Sequence, residues 1–170
     1  MTLADSYVAL ARYNRWMNEK LYAVAAELSD DERKRDLHAF FPSLQATLDH
    51  ILFADRIWLA RFGVADGAEV RASEAGYGGD IFADFTELRR ERARTDDAID
   101  RWVTTLSDDV LAAPFRYTNM AGKPFEHPLW IAVQHFFNHQ THHRGQATTL
   151  LKQLGRDPGV TDLIALLRQG

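Results

Sequence analysis

Apolar residues recur at steps of three and four in four separate stretches of this chain, and those steps predict four long helices. The first stretch carries Leu3, Tyr7, Leu10, Asn14, Met17, Leu21, Val24 and Leu28, one continuous stripe along a helix. Its single polar member, Asn14, needs a hydrogen-bond partner if it is buried. Tyr13 and Trp16 flank it, so a polar core position beside packing aromatics explains the group as readily as a site does. Ser29-Asp30-Asp31-Glu32 breaks the pattern and leads into a polar connection. Pro42-Ser43 then opens a second helix that runs to about Phe62, before Gly63. On it Gln45, Asp49 and Arg56 fall together as a predicted solvated face, whereas His50 shares its side with Thr47, Ala54, Ile57, Trp58 and Arg61. Residues 63–79 contain Gly63, Gly67, Gly76, Gly78 and Gly79 and read as a mobile loop.

A third helix is predicted from about residue 81 to residue 106, with Asp80 as its N-cap. Phe82, Phe85, Leu88, Ile99, Trp102 and Leu106 form its buried stripe, and the run Arg89-Arg90-Glu91-Arg92-Ala93-Arg94 reads as a solvated face. The helical period stops between Ser107 and His127. There Phe115 to Asn119 alternates, Ala121-Gly122 can turn, and Lys123 to Glu126 can pair back as a short irregular hairpin. Pro128 suits the first turn of a fourth helix that reaches about Leu154 and stops at Gly155. Thr161 is placed to cap a short final helix that ends near Arg168. The expected fold is all-α, a four-helix bundle occupying residues 1–170 as one domain.

Composition narrows the function classes. The net charge is −4 over 170 residues, which offers no basic face for nucleic acid. There is no cysteine, so disulfides, thiolate ligation and a cysteine nucleophile are excluded. No apolar run approaches the roughly 18 residues of a membrane span. The stretch Met1 to Asp5 lacks a basic region followed by an apolar run, and the expected compartment is the cytoplasm.

The remaining chemistry is concentrated in His135-Phe-Phe-Asn-His139-Gln-Thr-His142-His143-Arg-Gly-Gln146. On the fourth helix, His143 lies about 40° from His139, and both fall inside the apolar stripe of Ala132, Phe136, Ala147 and Leu150. Their four-residue spacing stacks two imidazoles on adjacent turns, so that one helix can offer two nitrogens to a single ion. His135 and His142 fall on the polar flank beside Gln146, where they are better donors or acceptors behind the ligands than ligands themselves. His135 and His139 share the same spacing, so the choice rests on the face. An HxxxH pair is a weak signal by itself, and a lone inward histidine such as His50 is more often a satisfied core residue. Three inward imidazoles on two helices make a stronger case, and they would leave a divalent ion an open position for water or substrate.

Tyr13-Asn14-x-Trp16, Leu48-Asp49-His50-Ile51 and Asn138-His139-x-x-His142-His143-Arg144-Gly145-Gln146 resemble the DinB family, and the resemblance spans essentially the whole chain. It implies a four-helix bundle with up-down-down-up connections, a homodimer, and a metal held by three histidines. By position those are His50, His139 and His143. Zinc or nickel is the expected ion, and iron or copper also suits imidazole ligands. The resemblance further implies a thiol-dependent transferase using a low-molecular-weight thiol, and hydrolysis fits the same site. Arg61 is placed to orient an anionic substrate or to form a salt bridge. Tyr13, Asn14 and Trp58 are candidates to line a pocket or simply to pack the core. The alternative to an enzyme is a non-catalytic, metal-stabilised or metal-sensing stress-response bundle that acts through its dimer surface.

Overall fold

Four helices carry the molecule because four segments have both an apolar stripe and a start signal. The computed structural model describes residues 2–64 and 81–168. Its elements are α1 (Leu3–Ala25), α2 (Asp30–Lys34), α3 (Leu44–Arg61), α4 (Phe85–Val103), α5 (Asp108–Ala112), β1 (Pro114–Thr118), β2 (Pro124–Pro128), α6 (Leu129–Gln153) and α7 (Leu163–Leu167). Thr2 and Asp5 form a reciprocal capping box at the start of α1, and Ser43 caps α3 by accepting from the Ala46 N–H at 3.1 Å. Each cap satisfies an orphan donor of the first turn. At the other end of α3 the chain leaves through Gly63 at φ +78°, a left-handed conformation that favours glycine.

Several boundaries differ from the sequence-based expectation, each for a local reason. Ser29 and Glu32 make a second capping box, which turns part of the expected polar connection into the short helix α2. The third long helix starts at Phe85, because Asp84 caps it by accepting from the Glu87 N–H at 2.7 Å. Ile81 and Phe82 stay outside it, where both backbone N–H groups donate to the Asp49 carboxylate. Asp80, and the predicted loop beyond Val64, lie outside the described residues. Asp162, not Thr161, occupies the N-cap of α7; the Thr161 carbonyl instead accepts from the Tyr13 hydroxyl at 2.6 Å.

The four long helices form a ring in which α1 packs on α4, α4 on α3, α3 on α6, and α6 on α1. Side-chain pairs give their relative directions. Asn18 and Arg15 meet Asp96 and Asp100, so α1 and α4 run antiparallel. Trp58 meets His135 and His50 meets His139, so α3 and α6 also run antiparallel. Asp49 and Asp55 meet Phe82 and Arg92, which makes α3 parallel to α4. Tyr7 and Asn14 meet Phe137 and Arg144, which makes α1 parallel to α6.

The interior has three levels. One apolar cluster gathers Tyr7, Leu59, Ile99, Trp102, Val133 and Phe136, and another gathers Met17, Leu21, Leu48, Leu52, Leu88 and Leu150. Between them lies a buried polar layer. Arg92 bridges Asp55 at 2.6 Å and Asp96 at 2.9 Å. Asn14 and Asn18 donate to Asp96 at 3.0 and 2.9 Å, and Gln140 donates to Asp55 at 2.9 Å. Arg144 donates to the Asn14 carbonyl oxygen. This layer corrects the expectation of a wholly solvated charge run, since Arg92 and Asp96 are buried. The α3 face read as solvated is also covered: Gln45 donates to the Phe82 carbonyl at 3.0 Å, and Arg56 meets Glu91 at 2.5 Å.

The hairpin matches its sequence reading. Phe115 pairs with His127 and Tyr117 with Phe125 across β1 and β2. It rests on the N-terminal part of α6 and brings Tyr117 against Trp58 of α3, with ring centroids 5.2 Å apart. Among the described residues, no helix is long and apolar enough to cross a membrane.

Candidate metal centre

The most extensive packing between long helices, that of α3 on α6, brings three imidazoles to one point. His50 lies on the inward side of α3, and His139 and His143 lie one turn apart on α6. One ring nitrogen of each falls within 4.8 Å of those of the other two. The Nε2 atoms of His50 and His139 are 3.3 Å apart, and those of His143 and His139 are 3.1 Å apart. Ligand nitrogens about 2.1 Å from a tetrahedral ion sit about 3.4 Å from one another, so the spacing is that of a ligand set. His50 and His143 are buried, and His139 is partly open to solvent.

Hydrogen bonding among the rings satisfies both contacts only if one His139 N–H is shared between two lone pairs. The His143 Nδ1–H donates to Gln146 Oε1 at 2.7 Å, so in the neutral ring its Nε2 carries a lone pair and no hydrogen. His139 Nε2 can donate its hydrogen to that lone pair, but it then has nothing with which to accept from His50. If it accepts from His50, two lone pairs face each other at 3.1 Å. A cation between the three nitrogens satisfies every contact at once. Three close histidines of this kind could hold a divalent metal ion.

The protonation state favours the same role. Burial, and secondarily the neighbouring His143 charge, push the His50 pKa down to about 4. Burial pushes His139 down to about 3, and His143, His50, His135 and His142 all act in the same direction. Burial lowers His143 too, against an opposing contribution from its bond to Gln146. The imidazoles are therefore neutral at neutral pH, which is the form that ligates metals. Phe41 shields the cluster from outside. Its ring stacks on His50 at 4.0 Å and meets His143 edge-on at 5.6 Å.

Space opens on two sides of the cluster. A cavity of about 520 Å³ lies beneath the hairpin and is reached by His50 and His139 together with Trp58, Arg61, Tyr117 and His135. A smaller one, about 320 Å³, lies between Phe40, Phe41, His142, His143 and Gln146. His135 and His142 are exposed and stand at the mouths of these spaces, in keeping with the polar flank read from the helix. The His135 ring lies 5.9 Å from His139 and 5.1 Å from Trp58. Partial burial of its ring, and then the charge of Arg61, lower its pKa.

Asn14 is placed elsewhere. Its amide donates to Asp96 and its oxygen accepts from Arg144, so it belongs to the polar layer and lines neither cavity. Tyr13 likewise packs beside Arg144, 5.3 Å from its guanidinium. Sequence reasoning missed Phe41 and the hairpin pair Tyr117 and Phe125 as walls of the site. The alternation of β1 and β2 puts Tyr117 and Phe125 on one face and was available as a signal. Nothing local marks Phe41 beyond its position before Pro42.

Known proteins resemble this chain over most of its length. A model of the DinB family matches residues 2–169. The protein DinB of Bacillus subtilis (strain 168) is 24% identical over 164 residues, covering 94% of this chain and 92% of that protein. The crystal structure of a DinB-like protein from Bacillus cereus ATCC 10987 superposes with a TM-score of 0.60 at 22% identity, covering 86% of this chain and 91% of that one. At that identity the likeness concerns the fold.

Proposed function

This chain belongs to the DinB family, and from that premise we propose a divalent-metal-binding protein that works as a metal-dependent enzyme. Its ligands are His50, His139 and His143, and its ion is zinc or nickel in preference to iron or copper. The observation that carries the reading is the convergence of three neutral imidazole nitrogens within 4.8 Å at the wall of a cavity. A structural ion is normally enclosed by four protein ligands, whereas three ligands beside open space suit a catalytic one.

When bound, the ion supplies Lewis acidity that makes a neighbouring water or thiol a better nucleophile at neutral pH. The chain's own residues prepare that chemistry. Gln146 fixes the tautomer of His143 so that Nε2 faces inward, and such supporting contacts tune ligand basicity. Phe41 covers the back of His50 and limits water to the cavity sides. His135, at the mouth of the larger cavity, is placed to move a proton between solvent and a substrate near His139. Thiol transfer to a small electrophile is the preferred reaction and hydrolysis the alternative. We also propose a homodimer in the cytoplasm with no nucleic-acid partner, the last in keeping with a net charge of −4.

The test is turnover of low-molecular-weight thiols with electrophiles, and of esters and amides with water, by metal-loaded and chelated protein. The proposal expects metal-dependent turnover that His143→Ala abolishes while the protein stays folded. A large loss of melting temperature in His143→Ala, without turnover in any arm, would instead identify the ion as structural.

A further inference from the structure

The two helices that carry the histidines are also tied by a buried hydrogen bond that the metal reading does not use. Gln140 follows His139 on α6 but turns to the centre of the bundle, where its Nε2 donates to Asp55 Oδ1 of α3 at 2.9 Å. Both side chains are buried. The other carboxylate oxygen of Asp55 accepts from Arg92 of α4 at 2.6 Å, so the charge has its counter-ion without Gln140. What the glutamine adds is a direct link from α6 to α3. On α3, Asp55 lies between Trp58, whose ring is 5.1 Å from His135, and His50, whose ring is 5.2 Å from His139. The link therefore sits at the level of the histidine centre and on the opposite side of the same interface.

Resting on the metal site proposed above, we propose that Gln140 and Asp55 are the positioning residues of that site. Their bond sets the rotation of α6 against α3, so that the His139 and His143 imidazoles converge on His50. Neighbouring residues of a helix point about 100° apart, so fixing the direction of Gln140 fixes that of His139. Apolar contact is non-directional, whereas a hydrogen bond to a carboxylate is both strong and angular. The leverage is large. A turn of α6 by about 10° moves an imidazole tip, about 6 Å from the helix axis, by about 1 Å. Ligand distances in metal sites hold to within about 0.2 Å. An apolar side chain at 140 would fill the core but leave that angle to packing alone.

Two variants of the same buried layer separate positioning from general stability. Gln140→Met keeps the length of the side chain and removes its amide. Asn18→Leu removes a comparable bond, from Asn18 to Asp96 at 2.9 Å, that ties α1 to α4 instead. Gln140→Asn, which keeps the amide but is one methylene too short for Asp55, serves if Gln140→Met does not fold. Nuclear Overhauser contacts between the His50 and His139 rings are measured by NMR in chelated, metal-free protein. Cobalt(II) affinity is measured against a competing chelator, and both readings are taken well below each melting temperature. Gln140→Met is expected to weaken the ring contacts and to lower cobalt affinity about 3- to 30-fold, the range for changes that act on a site without touching its ligand. Asn18→Leu is expected to leave both within about twofold, even where it lowers the melting temperature as much. Equal losses in the two variants, unchanged ring contacts or unchanged affinity in Gln140→Met, or no ring contacts in wild type overturn the inference. If wild type binds no cobalt, the metal site itself falls, and the ring contacts alone decide whether Gln140 positions the imidazoles.

Discussion

Helix α6 carries two polar ladders one residue apart, and they solve burial in opposite ways. Gln140 and Arg144 turn into the bundle centre, where they reach Asp55 and Asn14. His139 and His143 turn toward α3, where they reach His50. In the first region, burial pushes the Asp55 and Asp96 carboxyls up and Arg92 pulls them down. Burial opposes the Arg92 charge, yet Asp96 and Asp55 more than offset it and its pKa is raised. In the second region, burial and every neighbouring histidine act together against a proton on His139. One set of groups pairs unlike charges and amides within the chain. The other consists of like groups, three imidazoles whose nitrogens converge where a divalent cation could be held. Buried polarity alone thus does not mark a site; what marks it here is the convergence of donors of one kind at one point.

Breaking the closed region should cost the most. Arg92→Met strands Asp55 and Asp96 in the core, and losing one partner of a buried ion pair typically costs about 3–5 kcal/mol. Chemical denaturation of metal-free protein should show that loss, whereas His143→Ala should cost about 1 kcal/mol or less. Comparable losses in the two variants would erase the distinction between the regions.

Acid should separate them next. Unfolded histidines take up protons as the pH falls through about 6.5, but the fold resists until about 4 at His50 and about 3 at His139. A depressed folded pKa on a base means that stability is intact above 6.5 and falls as the pH drops toward 4. The slope is at most about 1.4 kcal/mol per pH unit for each proton refused, and less at His139, which solvent reaches. Denaturation of metal-free protein across this window should be steeper for wild type than for a His50→Gln, His139→Gln double variant. Parallel curves would contradict the low pKa values.

Gln146→Leu is expected to weaken metal binding by about 10- to 100-fold, the usual cost of losing a group that orients a ligand. Competition with a chromophoric chelator measures this, and Gln146→Glu should restore affinity because it still accepts from Nδ1. Smallest of all, His142→Ala removes an exposed side chain and should shift affinity by less than about twofold, as surface changes stay within about 0.5 kcal/mol. A large loss there would mean that His142 is a ligand and that the division of the cluster is misplaced.

Much of this contrast was legible in the sequence, though unevenly. The apolar steps around His50, His139 and His143 assign each a face, and the structure brings those faces together. The same steps run from Leu88 through Arg92 and Asp96 to Ile99, and from Phe136 through Gln140 and Arg144 to Ala147, so the polar layer was marked too. Arg92 departs from the solvated face that its run suggests: its neighbours Arg89, Arg90 and Arg94 are exposed, and it alone of the four arginines lies on the inward step. Gln45 and Asp49 depart from theirs for a different reason. A helical projection shows which residues share a face, but not which segment covers it, and here residues 81–83 do so through backbone groups. The cavity walls depended on the hairpin's position over α3, a long-range contact that no local pattern encodes.

The central claim is that His50, His139 and His143 form one binding site. Elemental analysis of natively purified protein, wild type against His50→Ala, tests it most directly, because His50 lies 89 residues away from His139 in the chain. One equivalent of a divalent transition metal in wild type, and its loss in His50→Ala, is the predicted result. No stoichiometric metal in wild type, or the same amount in the variant, would contradict it.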